Sequence, residues 1–168
     1  MIIRDAEIHD ARTIAEIYNH YVLNSHATFE IDPIDVEEME RRMDDSLTRG
    51  LPFLVAEADD QIRGYAYAQP YKLRAAYQHS VEISVYIHSN ANARGIGSAL
   101  YEVLFDRLRD SGMHAVIAGI SLPNDASIHL HEKFGMTKVA HFSEVGRKFD
   151  RWIDVAYWEL IIERSRSN

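Results

Sequence analysis

The chain contains no cysteine, which excludes disulfides, thiolate nucleophiles and Cys-ligated metal sites and leaves the redox compartment open. It also lacks a basic excess: 18 Lys and Arg stand against 26 Asp and Glu, a formal net charge of -8 at pH 7. Nucleic acid and anionic membrane both demand a basic surface, so neither is expected as a main partner. No apolar stretch approaches the length of a bilayer span, and the first ten residues lack the basic-then-apolar order of a secretory leader, so a cytoplasmic location is expected. Repeats and low-complexity tracts are missing too. With 168 residues, 46% of them hydrophobic, there is material for the core of one domain, expected over residues 1–162 with a polar tail at 163–168.

The stretch His79–Leu100 is the most informative part of what is present. Val81, Ile83, Val85 and Ile87 alternate with Glu82, Ser84 and Tyr86, the pattern of a strand with one apolar face and one face carrying a carboxylate, a hydroxyl and a phenol. A solitary strand Glu also fits a solvated sheet face or an Arg partner. After a short polar loop, Ile96, Leu100, Val103, Leu104 and Leu108 share one side of a helix. That helix opens on Gly95 and Gly97, and its first turn offers unpaired N-H groups and the positive end of the macrodipole, a seat for an anion such as phosphate.

The glycines match neither common nucleotide loop. No Lys followed by Ser or Thr comes at nucleoside-triphosphate spacing, and Leu100 stands where the dinucleotide fingerprint needs a third Gly or Ala. A pyrophosphate-bearing cofactor held in another way is left. Here Asn92-Ala93-Arg94-Gly95-Ile96-Gly97 resembles the acetyl-CoA motif Gln/Arg-x-x-Gly-x-Gly/Ala of the GNAT superfamily of N-acetyltransferases, with Asn92 where Gln or Arg is usual. Nearly the whole chain is similar to the phosphinothricin and methionine sulfone (L-amino acid) acetyltransferase branch, including Val145-Gly146 and Trp152-Ile153-Asp154-Val155.

The resemblance implies an α/β (α+β) fold: one domain with a mixed, mostly antiparallel twisted sheet of about six to seven strands flanked by about four helices. It implies acetyl-CoA as co-substrate, no metal, and a homodimer. Val85, Tyr86 and Ile87, the run Ala93, Arg94, Gly95, Ile96, Gly97 and Ser98, and Asn124 fall where relatives hold the cofactor. Phe29 falls in the acceptor pocket, Lys72, Arg74 and Tyr77 where the branch contacts its amino-acid substrate, and His131 where many relatives have a Tyr near the thioester sulfur.

The residues themselves set the remaining expectations. Met1–Arg4 reads as a first strand, and Asp10 as the cap of a helix with the stripe Ala11, Ile14, Ile17, Tyr18 and Tyr21. A charged helix follows over Asp35–Arg49. Leu51–Ala58 and Ile62–Gln69 form a hairpin in which Gly64 marks a bulge or a close approach. Ala115–Ile120 is a short strand, and Asn124 or Asp125 caps the next helix. Val139–Val145 and Trp152–Ile161 are strands around a loop at 146–151. Phe29 also fits a plain buried aromatic, and Lys72 and Arg74 a solvated loop, although an Arg offers a paired-donor fork to a carboxylate or phosphinate. His129 and His131 are two apart and diverge on a helix, unlike a zinc pair.

For chemistry, an amine must lose a proton before it attacks a thioester, since α-amino groups titrate near pH 8. Glu82 is the expected general base and His131 the expected proton source or stabilising donor for the departing thiolate. Direct transfer is expected. Acetylation of a protein amine and a non-catalytic acetyl-CoA-binding module are the alternatives.

Overall fold

The computed structural model describes residues 1–91 and 95–162. In chain order these are β1 (Ile2–Asp5), a 3-10 turn (Ile8–Asp10), α1 (Ala11–Asn24), α2 (Val36–Thr48), β2 (Phe53–Ala58), β3 (Gln61–Pro70), a second 3-10 turn (Ala75–Tyr77), β4 (Ser80–Ile87), α3 (Ile96–Asp110), β5 (Ala115–Ser121), α4 (Asp125–Lys133), β6 (Thr137–Lys148) and β7 (Arg151–Ile161). The seven strands form one sheet in the order β1-β2-β3-β4-β5-β7-β6. All neighbours pair antiparallel except β4 and β5, which gives the mixed, mostly antiparallel sheet with four helices expected.

Strand alternation sorts the side chains onto two faces. One face carries Leu54, Ala66, Ala68, Val81, Ile83, Val116, Ala118, Ala156 and Trp158 and packs on the α3 residues Ile96, Leu100, Tyr101, Leu104, Phe105 and Leu108. The other carries Phe53, Val55 and Tyr65 under α1 and α2, where Ile14, Ile17, Tyr18, Met39 and Met43 are buried. At full burial each large side chain contributes about 1.5–3 kcal/mol, so the two layers hold the sheet rigid from both sides.

Close approaches fix the sheet where β3, β4 and α3 meet. A Cβ on Gly64 would lie 2.9 Å from the Tyr86 carbonyl oxygen and from Ile87 Cδ1. The β2-β3 register also slips between Ala56 and Glu57, so Gly64 marks a close approach beside a bulge. The β2-β3 turn, Asp59-Asp60, has both residues at positive φ, 53° and 56°, the twist a two-residue hairpin requires.

Two expectations change. Asp10 does not cap α1: its backbone is already helical, and its carboxylate turns back to accept from the Glu7 N-H at 2.8 Å and from Arg4 at 2.7 and 3.0 Å. The stronger partner is the guanidinium, which makes a two-pronged, charge-assisted bond. The presumed loop at 146–151 is mostly strand, because β6 runs to Lys148 and only Phe149 and Asp150, at φ 51° and 54°, make the turn. No Asn-Gly signal announces it. A register shift between Phe142 and Gly146 kinks β6. Asp154 pins that kink, accepting from the Glu144 N-H at 2.8 Å while its other oxygen lies 2.6 Å from His141 Nε2.

Candidate active site

The parallel pair β4 and β5 is matched only over Ser80–Glu82 and Ala115–Ile117. Beyond Glu82 the strands separate, and a cleft of about 200 Å³ opens between Ser84–Ile87 on one side and Gly119–Ser121 on the other, floored by Asn124, Ser127, Leu130 and His131. Parted strands leave backbone groups unpaired, which is costly unless something else bonds them. Alternation of the β4 amides directs Val85 and Ile87 toward the cleft and Tyr86 toward β3. The Tyr21 hydroxyl answers Ile87, donating to its carbonyl at 2.7 Å and lying 3.3 Å from its nitrogen. The Tyr86 side chain instead joins the aromatic layer with Tyr18, Tyr21 and Tyr65.

Glu82 stands at the point where the strands part. It is one wall of a second cavity, about 460 Å³, that shares Ala27, Gly119 and Ser121 with the cleft and is otherwise bounded by His26, Phe29, Phe142, Val145, Val155 and Tyr157. Burial pushes the Glu82 carboxyl above its ordinary range, opposed in part by a long 3.5 Å hydrogen bond from Gln69 Nε2. Gly119 lies against it and makes room for Tyr157: a Cβ there would come 3.1 Å from the Tyr157 ring, and 3.5 Å, an ordinary contact, from Glu82 Oε1. A carboxylate with raised basicity, next to a small-molecule-sized cavity that opens onto a narrow cleft, is suited to taking a proton from an acceptor held there.

Helix α3 starts at the glycines where the sequence places an anion seat. Gly95 is the N-cap of α3 at φ 92°, and nothing lies within 4 Å of a Cβ built on it, so conformation rather than space demands glycine. Gly97 has a packing reason as well, since its Cβ would come 3.1 Å from Leu130 of α4. Ile96 is buried in the core. The Ser98 hydroxyl accepts from Lys133 Nζ at 2.9 Å, which adds a cation at the helix start that sequence reasoning passed over. Asn92, Ala93 and Arg94 lie outside the described residues.

On α4, Asn124 caps the helix through Oδ1, which accepts from the Ser127 N-H at 3.1 Å, and its side chain also borders the cleft. His131 is buried with both ring nitrogens engaged: Nδ1 lies 2.7 Å from the Ser127 carbonyl and Nε2 2.8 Å from the Tyr101 hydroxyl. A carbonyl only accepts, so Nδ1 carries the hydrogen and Nε2 receives the Tyr101 proton. Burial lowers the His131 pKa, and the ring is neutral near pH 7.

The remaining residues divide. Phe29 joins Glu82 in the larger cavity, whereas Lys72, Arg74 and Tyr77 line a separate depression with Pro70, Ser80 and Met113. There the Lys72 ammonium lies over the Tyr71 and Tyr77 rings, 5.0 and 5.5 Å from their centroids. Sequence reasoning missed Gln69, His26, Gly119, Phe142 and Tyr157. Only Gly119 left a signal, a glycine inside a strand that carries Val116, Ile117 and Ile120.

A family model described as an acetyltransferase (GNAT) domain matches residues 3–157. The chain belongs to the GNAT acetyltransferases. It is accordingly an acetyl-CoA-dependent N-acetyltransferase. A phosphinothricin N-acetyltransferase of Streptomyces coelicolor is 42% identical over 154 residues, 89% of this chain and 90% of that protein. An L-methionine sulfoximine/L-methionine sulfone acetyltransferase of Salmonella typhimurium is 35% identical over 163 residues, 97% and 95% of the two chains. The crystal structure of a phosphinothricin acetyltransferase from Sinorhizobium meliloti in complex with acetyl-CoA superposes with a TM-score of 0.94 at 34% identity, covering 99% of this chain and 91% of that one.

Proposed function

We propose that this GNAT enzyme acetylates the amino group of a small amino-acid-like acceptor, of the class of phosphinothricin, methionine sulfone or methionine sulfoximine, by direct transfer with Glu82 as general base. The observation that carries the reading is the place of Glu82: a half-buried carboxylate of raised pKa at the junction of a cavity of about 460 Å³ and the β4-β5 cleft. The names of the relatives support the acceptor class.

In this reading the acceptor lies against Phe29, Val155 and Tyr157, and Glu82 removes its proton directly or through a water. The neutral amine attacks the thioester carbonyl, whose oxygen gains charge beside the Val85 N-H at the cleft. The tetrahedral adduct collapses with release of CoA thiolate. His131 serves as a positioning group rather than a proton source, because its one N-H, on Nδ1, already goes to the Ser127 carbonyl; it holds Ser127, whose hydroxyl lies 3.3 Å from Nδ1 and which borders the same cleft, as the donor toward the thiolate. Lys72 and Arg74, outside the cavity, draw in the acceptor's acidic group from a distance.

A homodimer in the cytoplasm completes the proposal. Phe149 and Trp152 at the β6-β7 turn are 55% and 62% exposed, apolar surface that assembly would cover. Light scattering on the purified protein reads the mass directly.

The deciding experiment is thiol release from acetyl-CoA over a panel of acceptors: the three compounds above, ordinary L-amino acids and a short peptide with a free amino terminus. Turnover with the small acceptors and little with the peptide is expected. Preference for the peptide would move the assignment to a protein amine, and no release with any acceptor would leave a binding module.

A further inference from the structure

The segment 25–35 between α1 and α2 has no helix or strand of its own, yet His26, Ala27 and Phe29 from it wall the cavity beside Glu82. What holds it is therefore what shapes the cavity. Four elements reach it: Tyr18 Oη of α1 lies 2.7 Å from Thr28 Oγ1, Ser121 Oγ of β5 donates to the His26 carbonyl at 2.6 Å, Arg42 of α2 pairs with Glu30 at 2.6 Å, and Lys148 of β6 donates to the Thr28 carbonyl at 2.8 Å.

The β6 contacts are the unusual ones. Lys148 is only 5% exposed, a rare state for a lysine unless a partner holds it, and the Thr28 carbonyl, 120 residues earlier, is that partner. Two residues before it in the strand, a Cβ on Gly146 would overlap the Phe29 ring. Strand alternation places Gly146 and Lys148 on the same side of β6, and the kink pinned by Asp154 turns that side onto the segment.

We infer that Gly146 and Lys148 are a pair of positioning residues for the acceptor, a clamp by which the β6-β7 hairpin fixes Thr28 and Phe29 and so sets the shape of the cavity wall. The inference rests on the acceptor occupying the Glu82 cavity, as proposed above. Ser121 ties the segment at His26, Arg42 at Glu30 and Tyr18 at the Thr28 hydroxyl, whereas the clamp takes the Thr28 backbone carbonyl and packs on Phe29, the ring that faces the acceptor.

The test combines Lys148→Met, Lys148→Arg and Gly146→Ala, with hydrogen exchange over residues 25–31 read beside steady-state kinetics and acetyl-CoA binding by calorimetry. Lys148→Met is expected to speed exchange across Ala27–Glu30 and to raise acceptor KM about tenfold or more, with the Kd for acetyl-CoA within about twofold, and Lys148→Arg to recover most of the KM. Gly146→Ala is expected to raise acceptor KM in the wild-type background and to have little effect in a Phe29→Ala background, since the atom it collides with is gone. Unchanged exchange in both variants overturns the clamp, and faster exchange with unchanged acceptor KM overturns its role in acceptor binding. If Lys148→Met does not fold, the Gly146→Ala cycle decides alone, and additive effects there count against the inference. Absence of turnover in the unaltered enzyme would strike the functional reading, while the exchange measurement would still judge the clamp.

Discussion

Gln69 and Glu82 face each other across β3 and β4, the Gln69 amide nitrogen 3.5 Å from Glu82 Oε2. The bond is too long to offset burial, so the carboxyl is left more basic than an ordinary one.

From that relationship comes the first expectation. Glu82 must be ionised to act, and its raised pKa places the acidic limb of the kcat/KM profile above the ordinary Glu value of about 4.3, with activity rising as pH increases through it. Glu82→Gln should lower kcat by about a hundredfold or more and abolish that limb. Near-normal turnover at neutral pH removes Glu82 from the mechanism.

His131 should behave differently. Its pKa is lowered by burial, so the ring is neutral throughout the alkaline range and contributes no basic limb to kcat. His131→Asn is expected to reduce kcat by roughly tenfold, the order of a lost stabilising hydrogen bond of about 1.5 kcal/mol, while leaving the alkaline side of the profile in place. Loss of a basic limb in the variant would make His131 a titrating acid after all.

Gly95 sits at φ 92° with open space where a Cβ would go, so an alanine there is strained by conformation alone, about 1–2 kcal/mol for the left-handed region. Relief of that strain reshapes the start of α3. Gly95→Ala is expected to raise KM for acetyl-CoA severalfold without changing KM for the acceptor. Equal effects on both substrates would count against a cofactor seat at this helix.

Arg74 is exposed and lies in a depression that shares no lining residue with the Glu82 cavity. Its attraction for an anionic acceptor is therefore screened by salt. Arg74→Ala should raise acceptor KM a few fold at low ionic strength and by less at 0.5 M salt, with kcat preserved. No change at low salt would free Arg74 from acceptor binding.

How much of this was legible in the chain follows from the range of the interactions involved. Apolar alternation in 81–87, the glycines before α3 and the cap at Asn124 are local signals, and each reports an element whose geometry depends on residues a few positions away. They point to the strand that bears Glu82, the glycine-led start of α3 and the family resemblance. Asp10 shows where local reasoning stops, since a cap residue was outcompeted by Arg4, an ionic partner on a neighbouring strand. Tertiary structure alone decided that β4 and β5 part at Glu82, that Gly119 and Tyr157 come to it from β5 and β7, that Arg74 falls outside the cavity, and that Lys148 reaches Thr28. Those contacts join residues as many as 120 apart, and no pattern within one segment records which strand edge or loop will be packed against it.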